Sequence, residues 1–205
     1  VGTMNRSRPA VRNAIKFIHE GGIGKVYMAR GLCFKRRPGI GKYPDGPLGP
    51  GEQYKLNVES SMYEPAWDAA YLSKVDYDLW LGPAPERPYN PAYAPFRWRG
   101  WWDFGTGALG DMACHGMDAA YWILDLGYPE RIIPESTQLY LESAPKSSRV
   151  EYQFPAKGKR PAVKVVWRDG DLRPPKPEGL PITMEWPPAD IGGQLWIGDG
   201  GALIA

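Results

Sequence analysis

"GALGDMACHGMDAAYWIL", residues 107–124, is the stretch whose reading decides the rest. It reads as a helix, and at about 100° per residue Asp111, His115 and Asp118 fall within roughly 60° of one another. Trp122 continues that stripe, while Leu109, Met112, Ala113, Ala119, Ala120, Ile123, Leu124 and Leu126 occupy much of the remaining girth. A helix this apolar is expected to be buried, and a buried charge is costly unless it is paired or solvated. The stripe therefore faces either a polar network or a cleft. An Asp one turn before a His can orient the imidazole, and a His so placed can take a proton from a hydroxyl as general base. The same spacing equally suits a core histidine satisfied by Asp111 or by backbone.

Working outward, Thr106 stands where an N-cap would, and Gly127 is expected to close the helix. Immediately upstream, Tyr89, Tyr93, Trp98, Trp101 and Trp102 interleave with Arg97 and Arg99. Aromatic faces with arginines suit sugar rings or a nicotinamide, and they suit core packing with cation–π pairs as well. Earlier still, "RPAVRNAIKFIHEGG" predicts a helix, with Pro9 in its first turn and Gly21 and Gly22 ending it. Arg6 and Arg8 lie near its start, as carboxylate or phosphate ligands or as a solvated helix entry. "GKVYMARGLCFKR" then reads as a strand, with Val26, Met28, Arg30, Leu32 and Phe34 on one face.

After the central helix, "RIIPESTQLYLES", "SSRVEYQFPA" and "AVKVVWRD" read as strands. "ITMEW" adds another, and "GGQLWIGDGGALIA" a hairpin around "GDGG". Strands following strands predict an α+β fold: a large, open, mixed, mostly antiparallel sheet with helices on one face. Tyr140, Tyr152, Phe154, Val165 and Trp167 could give that sheet an apolar face for self-association, or they could fill its core.

Composition narrows the function. The 25 basic and 23 acidic residues are interspersed, giving a formal charge of only +2, so a nucleic-acid partner is not expected. No apolar stretch reaches the ~18 residues of a membrane span. Cys33 and Cys114 are too few and too far apart for a disulfide framework or zinc site, and His19 and His115 exclude a multi-histidine metal centre, so no metal is expected. No G-x-G-x-x-G opens a βαβ unit and no G-x-S-x-G is present.

Taken in order, "VGTMNRS", "HEGGIGKV", "DYDLWLGPAPERPYN", "FRWRGWWDFGTGALGDMACHGMD" and "FPAKGKRPAVKVVWRDG" resemble the C-terminal domain of the Gfo/Idh/MocA family of NAD(P)-dependent oxidoreductases, over nearly all 205 residues. The resemblance is strongest to a branch abundant in planctomycetes. It implies a dihydrodipicolinate-reductase-like α/β domain, 1–205, for substrate binding and oligomer contacts. A Rossmann domain that holds NAD or NADP is expected upstream of Val1, together with the cofactor-binding residues. By the same resemblance Asp111 and His115 are the catalytic pair, acting on a sugar or polyol hydroxyl. Tyr93, Trp98, Arg99 and Trp101 are the candidate substrate-side walls, and Asp118 is a supporting carboxylate paired with an arginine or a backbone donor. A homo-oligomer formed through the sheet face is expected, in the cytoplasm or, after twin-arginine export, the periplasm. The chain alone is expected to be inactive. Two alternatives remain open: an NAD-dependent glycoside hydrolase of the same family, and a non-catalytic binding or assembly domain.

Overall fold

The computed structural model describes residues 4–34, 74–89, 93–94, 97–176, 183, 186 and 193–205. A 3-10 turn, Met4–Ser7, leads into helix α1, Pro9–His19, and strand β1, Val26–Cys33. Helix α2 is Tyr77–Leu81, and a second 3-10 turn, Arg97–Gly100, precedes α3, Gly107–Gly116, and α4, Asp118–Leu124. Five strands follow: β2, Arg131–Ser136; β3, Ser148–Phe154; β4, Val163–Asp169; β5, Gly193–Gly198; and β6, Gly201–Ile204.

The six strands form one sheet in the order β2-β3-β4-β1-β5-β6, in which only β1 and β4 run parallel. Mixed and mostly antiparallel, this is the expected architecture. The hairpin around "GDGG" is present as β5 and β6, and "ITMEW" lies largely outside the described residues.

Helix α1 buries Val11, Ala14, Ile15 and Ile18, the i, i+3, i+4, i+7 stripe of an amphipathic helix. Pro9 opens it at no cost in hydrogen bonds, and Gly21, at φ +87°, turns the chain away from its end. These side chains meet Ala119, Ala120, Ile123 and Leu124 of α4 and, from the sheet, Ala29, Phe154, Val163, Val165 and Trp196. Beneath α3 a second cluster joins Cys33, Ala113 and Val150 to Trp167, which is wholly buried.

Three expectations need correction. A register shift between Val26 and Met28 turns the rest of β1 over. Ala29 and Cys33 consequently join the helix-side clusters, and Arg30 and Leu32 alternate with them on the other face. Of the two readings of the aromatic stripe, the oligomer surface gives way to core packing beneath the helices: Phe154, Val165 and Trp167 are 2%, 1% and 0% exposed, and Tyr152 packs on the same core. Tyr140 sits in the connection between β2 and β3. The outward side chains of β3 and β4 include instead Arg149, Glu151, Gln153, Lys164 and Arg168. Finally, α4 ends at Asp125, held at φ 45° in the left-handed region, two residues before Gly127. A short Asp side chain tolerates that region, so no glycine was needed there.

Candidate active site

The glycines before Asp111 are explained by crowding. Gly107 begins α3 at φ +63° with the Ala144 side chain where its own Cβ would be. Thr106 fills the space beside Gly110. Thr106 does take the N-cap position, but its side chain makes no capping hydrogen bond.

The single helix expected across 107–124 is two. Gly116 ends α3, and the Met117 amide still donates to Ala113 O at 2.8 Å before α4 starts at Asp118. At this break the helix lies on the sheet: a Cβ on Gly31 would stand 2.9 Å from Gly116 O. The stripe is divided accordingly. Asp118 and Trp122 go with α4, where Arg6 donates to both Asp118 carboxylate oxygens at 2.8 Å and stacks over Trp122 at 5.1 Å. Asp118 is thereby satisfied by an arginine of the N-terminal turn. Asp111 and His115 stay together on α3.

The His115 carbonyl, freed by the helix break, accepts from Asn5 Nδ2 at 2.7 Å and from Gln194 Nε2 at 3.1 Å. Both ends of the described chain thus fix the backbone that carries the imidazole. The ring Nδ1 is shielded from solvent and makes no hydrogen bond. Asp111 Oδ2 stands 3.6 Å from Arg99 Nε, both side chains about one-quarter exposed. Arg99 in turn stacks on Trp98 at 4.5 Å. Asp111, Arg99 and Trp98 are therefore brought together one turn from His115.

Tyr93 and Trp101 are placed differently. Each is 1% exposed, and their rings meet edge to face at 4.8 Å. Phe104, Trp80, Tyr77 and Tyr89 extend this aromatic cluster, and Trp101 pairs with Ser143 in an isolated β-bridge. These rings support the Trp98–Arg99 turn from behind. Sequence reasoning missed the residue that pins the cluster. Arg87 lies 5.4 Å over Tyr93, donates to Asp103 at 2.8 Å and approaches Glu142 at 3.9 Å. Burial works against its charge, but Tyr93, Asp103 and Glu142 more than offset this and raise its pKa. Asn5 and Gln194 were missed too, because their partner is a backbone atom and carries no sequence signal.

On another flank of α3 a cavity of about 410 Å³ is lined by Leu109, Leu139, Val150 and Trp102, with Asp169 among its walls. Asp169 accepts from Ser148 N, Ser148 Oγ and Trp167 Nε1, each at 2.6 Å, yet burial outweighs these bonds and pushes its pKa up. Among the described residues no three His, Cys, Asp or Glu side chains gather as a metal site.

Residues 65–160 match the family profile for the C-terminal alpha/beta domain of the Gfo/Idh/MocA oxidoreductases. That span, nearly half of the chain, is similar to the family's C-terminal domain. The matched span holds Asp111, His115 and every residue of the aromatic turn. Among solved structures, the chain is similar to scyllo-inositol dehydrogenase from Lactobacillus casei, solved with bound NAD(H) and scyllo-inositol. The two share 13% identity and a TM-score of 0.45, over all of this chain and 40% of that one. The domain thus spans about two-fifths of that protein's length. No curated protein matches it.

Proposed function

We propose that this chain is the substrate-binding and catalytic half of an NAD(P)-dependent oxidoreductase that oxidises a sugar or polyol hydroxyl. The observation that carries this reading is the family match across the helix bearing Asp111 and His115. The glycine-rich turn that opens α3, Gly105 to Gly110, follows no strand among the described residues, and the space beside its glycines is filled by Arg99, Ala144 and Thr106. The residues of α3 fit the proton-transfer half of the reaction, and we assign the grip on the dinucleotide to a Rossmann domain elsewhere in the protein. NAD or NADP, when bound, supplies the hydride acceptor.

This chain's own residues do the rest. His115 accepts the hydroxyl proton as the carbinol carbon gives up its hydride and becomes a carbonyl. Asp111 accepts a hydrogen bond from a neighbouring hydroxyl, and Arg99 donates one, their mutual ion pair holding both in place. The Trp98 face, already stacked on Arg99, offers an apolar wall to a sugar ring.

The test is His115→Ala in the two-domain parent. Hydride transfer should fall by roughly 10²- to 10⁴-fold in kcat, the scale of a lost general base, with the melting temperature retained. An unchanged kcat overturns the reading. Release of aglycone from a glycoside without accumulation of NADH would replace it with the glycosidase.

A further inference from the structure

The sheet's outer face, opposite α3, holds a charge that the proposed reaction does not use. Arg30 projects there from β1, between Val166 on β4 and Leu195 on β5 in the strand register. Both neighbours are buried, at 5% and 0% exposure, so the arginine stem leaves the sheet through an apolar surround. Its Nη1 is shielded from solvent and makes no hydrogen bond, and among the described residues no carboxylate pairs with it. Arg168 and Arg149 stand close by, directly opposite each other across β3 and β4. Among the described residues, the carboxylates beside them on this face, Glu135 and Glu151, are already engaged. Glu135 and Glu151 take Arg149 at 2.8 and 2.6 Å, and Glu151 also takes Lys164 at 3.0 Å. Arg168 has the Leu172 carbonyl at 3.2 Å. Burial, then the charges of Arg168 and Arg149, pull the Arg30 pKa below its ordinary value. Burial and Arg149 do the same to Arg168.

Like charges gathered in apolar surroundings are unfavourable unless something negative joins them. A guanidinium fork with free donors matches the oxygens of a phosphate or carboxylate. We propose that Arg30, flanked by Arg168 and Arg149, is an oxyanion-binding site on the outer face of the sheet, separated by the sheet from His115. Arg30 supplies the central donors. Arg168 closes one side and exchanges its carbonyl partner for the anion. Arg149, anchored by two glutamates, sets the electrostatic field. The site does not depend on the oxidoreductase reading, because no residue of α3 takes part in it.

The experiment is a titration of the 205-residue chain with inorganic phosphate at constant ionic strength, followed by calorimetry and thermal melting, with sodium chloride and acetate in parallel. Phosphate should bind saturably and raise the melting temperature by several degrees well above its dissociation constant, while chloride at the same ionic strength does less. Acetate should bind the same site more weakly, through two oxygens. Arg30→Met should weaken phosphate binding at least tenfold. Should Arg30→Met fail to fold, Arg168→Met, at the edge of the cluster, should still weaken binding severalfold. Wild-type protein that shows no saturable phosphate effect overturns the proposal, as does a chloride effect of equal size. It is also overturned if the chain is a dimer that Arg30→Glu dissociates while phosphate leaves it unchanged, since a second copy would then supply the counter-charge.

Discussion

Strand β4 makes two different surfaces from alternate residues. Val163, Val165, Trp167 and Asp169 face the helices, and Lys164 and Arg168 face away. On the helix side the packing is closed: Trp167 is wholly buried, and Gly31 approaches Gly116 so closely that no side chain fits between. The outer side is held by the ladder of charges around Arg149 and Glu151. The two sides therefore fail in different ways. Volume governs the first, whatever the salt, and charge governs the second, under the control of salt. The site proposed for catalysis sits on the volume-governed side, so its geometry is a consequence of packing.

The sharpest break of that comparison is Gly31→Ala. Its new methyl would stand 2.9 Å from both Gly116 O and Met117 Cγ, and the first of these is backbone at the end of the helix that carries His115. Such overpacking costs about 1–3 kcal/mol. We expect the loss in urea melts to be the same at low and high salt, with a fall in kcat of the proposed two-domain oxidoreductase. A cost that shrinks with added salt would show that the helix side is not closed.

These devices were unequally legible in the sequence. Helical spacing in Val11, Ile15 and Ile18 placed α1 and the strand-like run around Val165 and Trp167 placed β4, but which face of that strand was core stayed open until the structure buried both. Asp111 and His115 were singled out by the same periodicity. The helix break at Met117 was hidden because "ACHGMDAAY" contains no proline, and the break follows from contact with β1. The register shift in β1 and the left-handed Asp125 were hidden likewise, since backbone geometry decided them. Trp98 and Arg99 could be separated from Tyr93 and Trp101 only by knowing that Arg87 reaches Asp103 across sixteen residues.

A second contrast lies in acid. Glu151, 7% exposed in its side chain, has its pKa lowered, first by the Gln153 hydrogen bond and then, against burial, by Lys164 and Arg149. A lowered folded-state pKa contributes stability that is present above the ordinary value of about 4.3 and lost as pH falls through the folded value. Asp169 has the opposite sign. Burial raises its pKa, so its contribution is greatest below the ordinary value of about 3.9 and is lost as pH rises through the folded one. Glu151→Gln should cost about 1–2 kcal/mol at pH 7 and flatten the decline in stability towards pH 3. Asp169→Asn should steepen that decline relative to its own value at pH 7. Urea midpoints from pH 7 to pH 3 measure both, and equal slopes in the two variants would remove the contrast between the faces.

The smallest effect is expected at Lys164. Its ammonium meets Glu151 at 3.0 Å but is 43% exposed, so water and salt screen the pair. Glu151 keeps Arg149 at 2.6 Å and Gln153 at 2.9 Å when Lys164 is gone, so no carboxylate is stranded. Lys164→Met should therefore change stability by less than about 0.5 kcal/mol at ordinary salt, since its methylenes still cover the strand. A cycle that combines it with Glu151→Gln isolates the pair from the rest of the ladder. A coupling well above that figure would mean that the outer face is drier than its exposure indicates. The anion bound at Arg30 would then sit in a lower dielectric, and its affinity should rise in step.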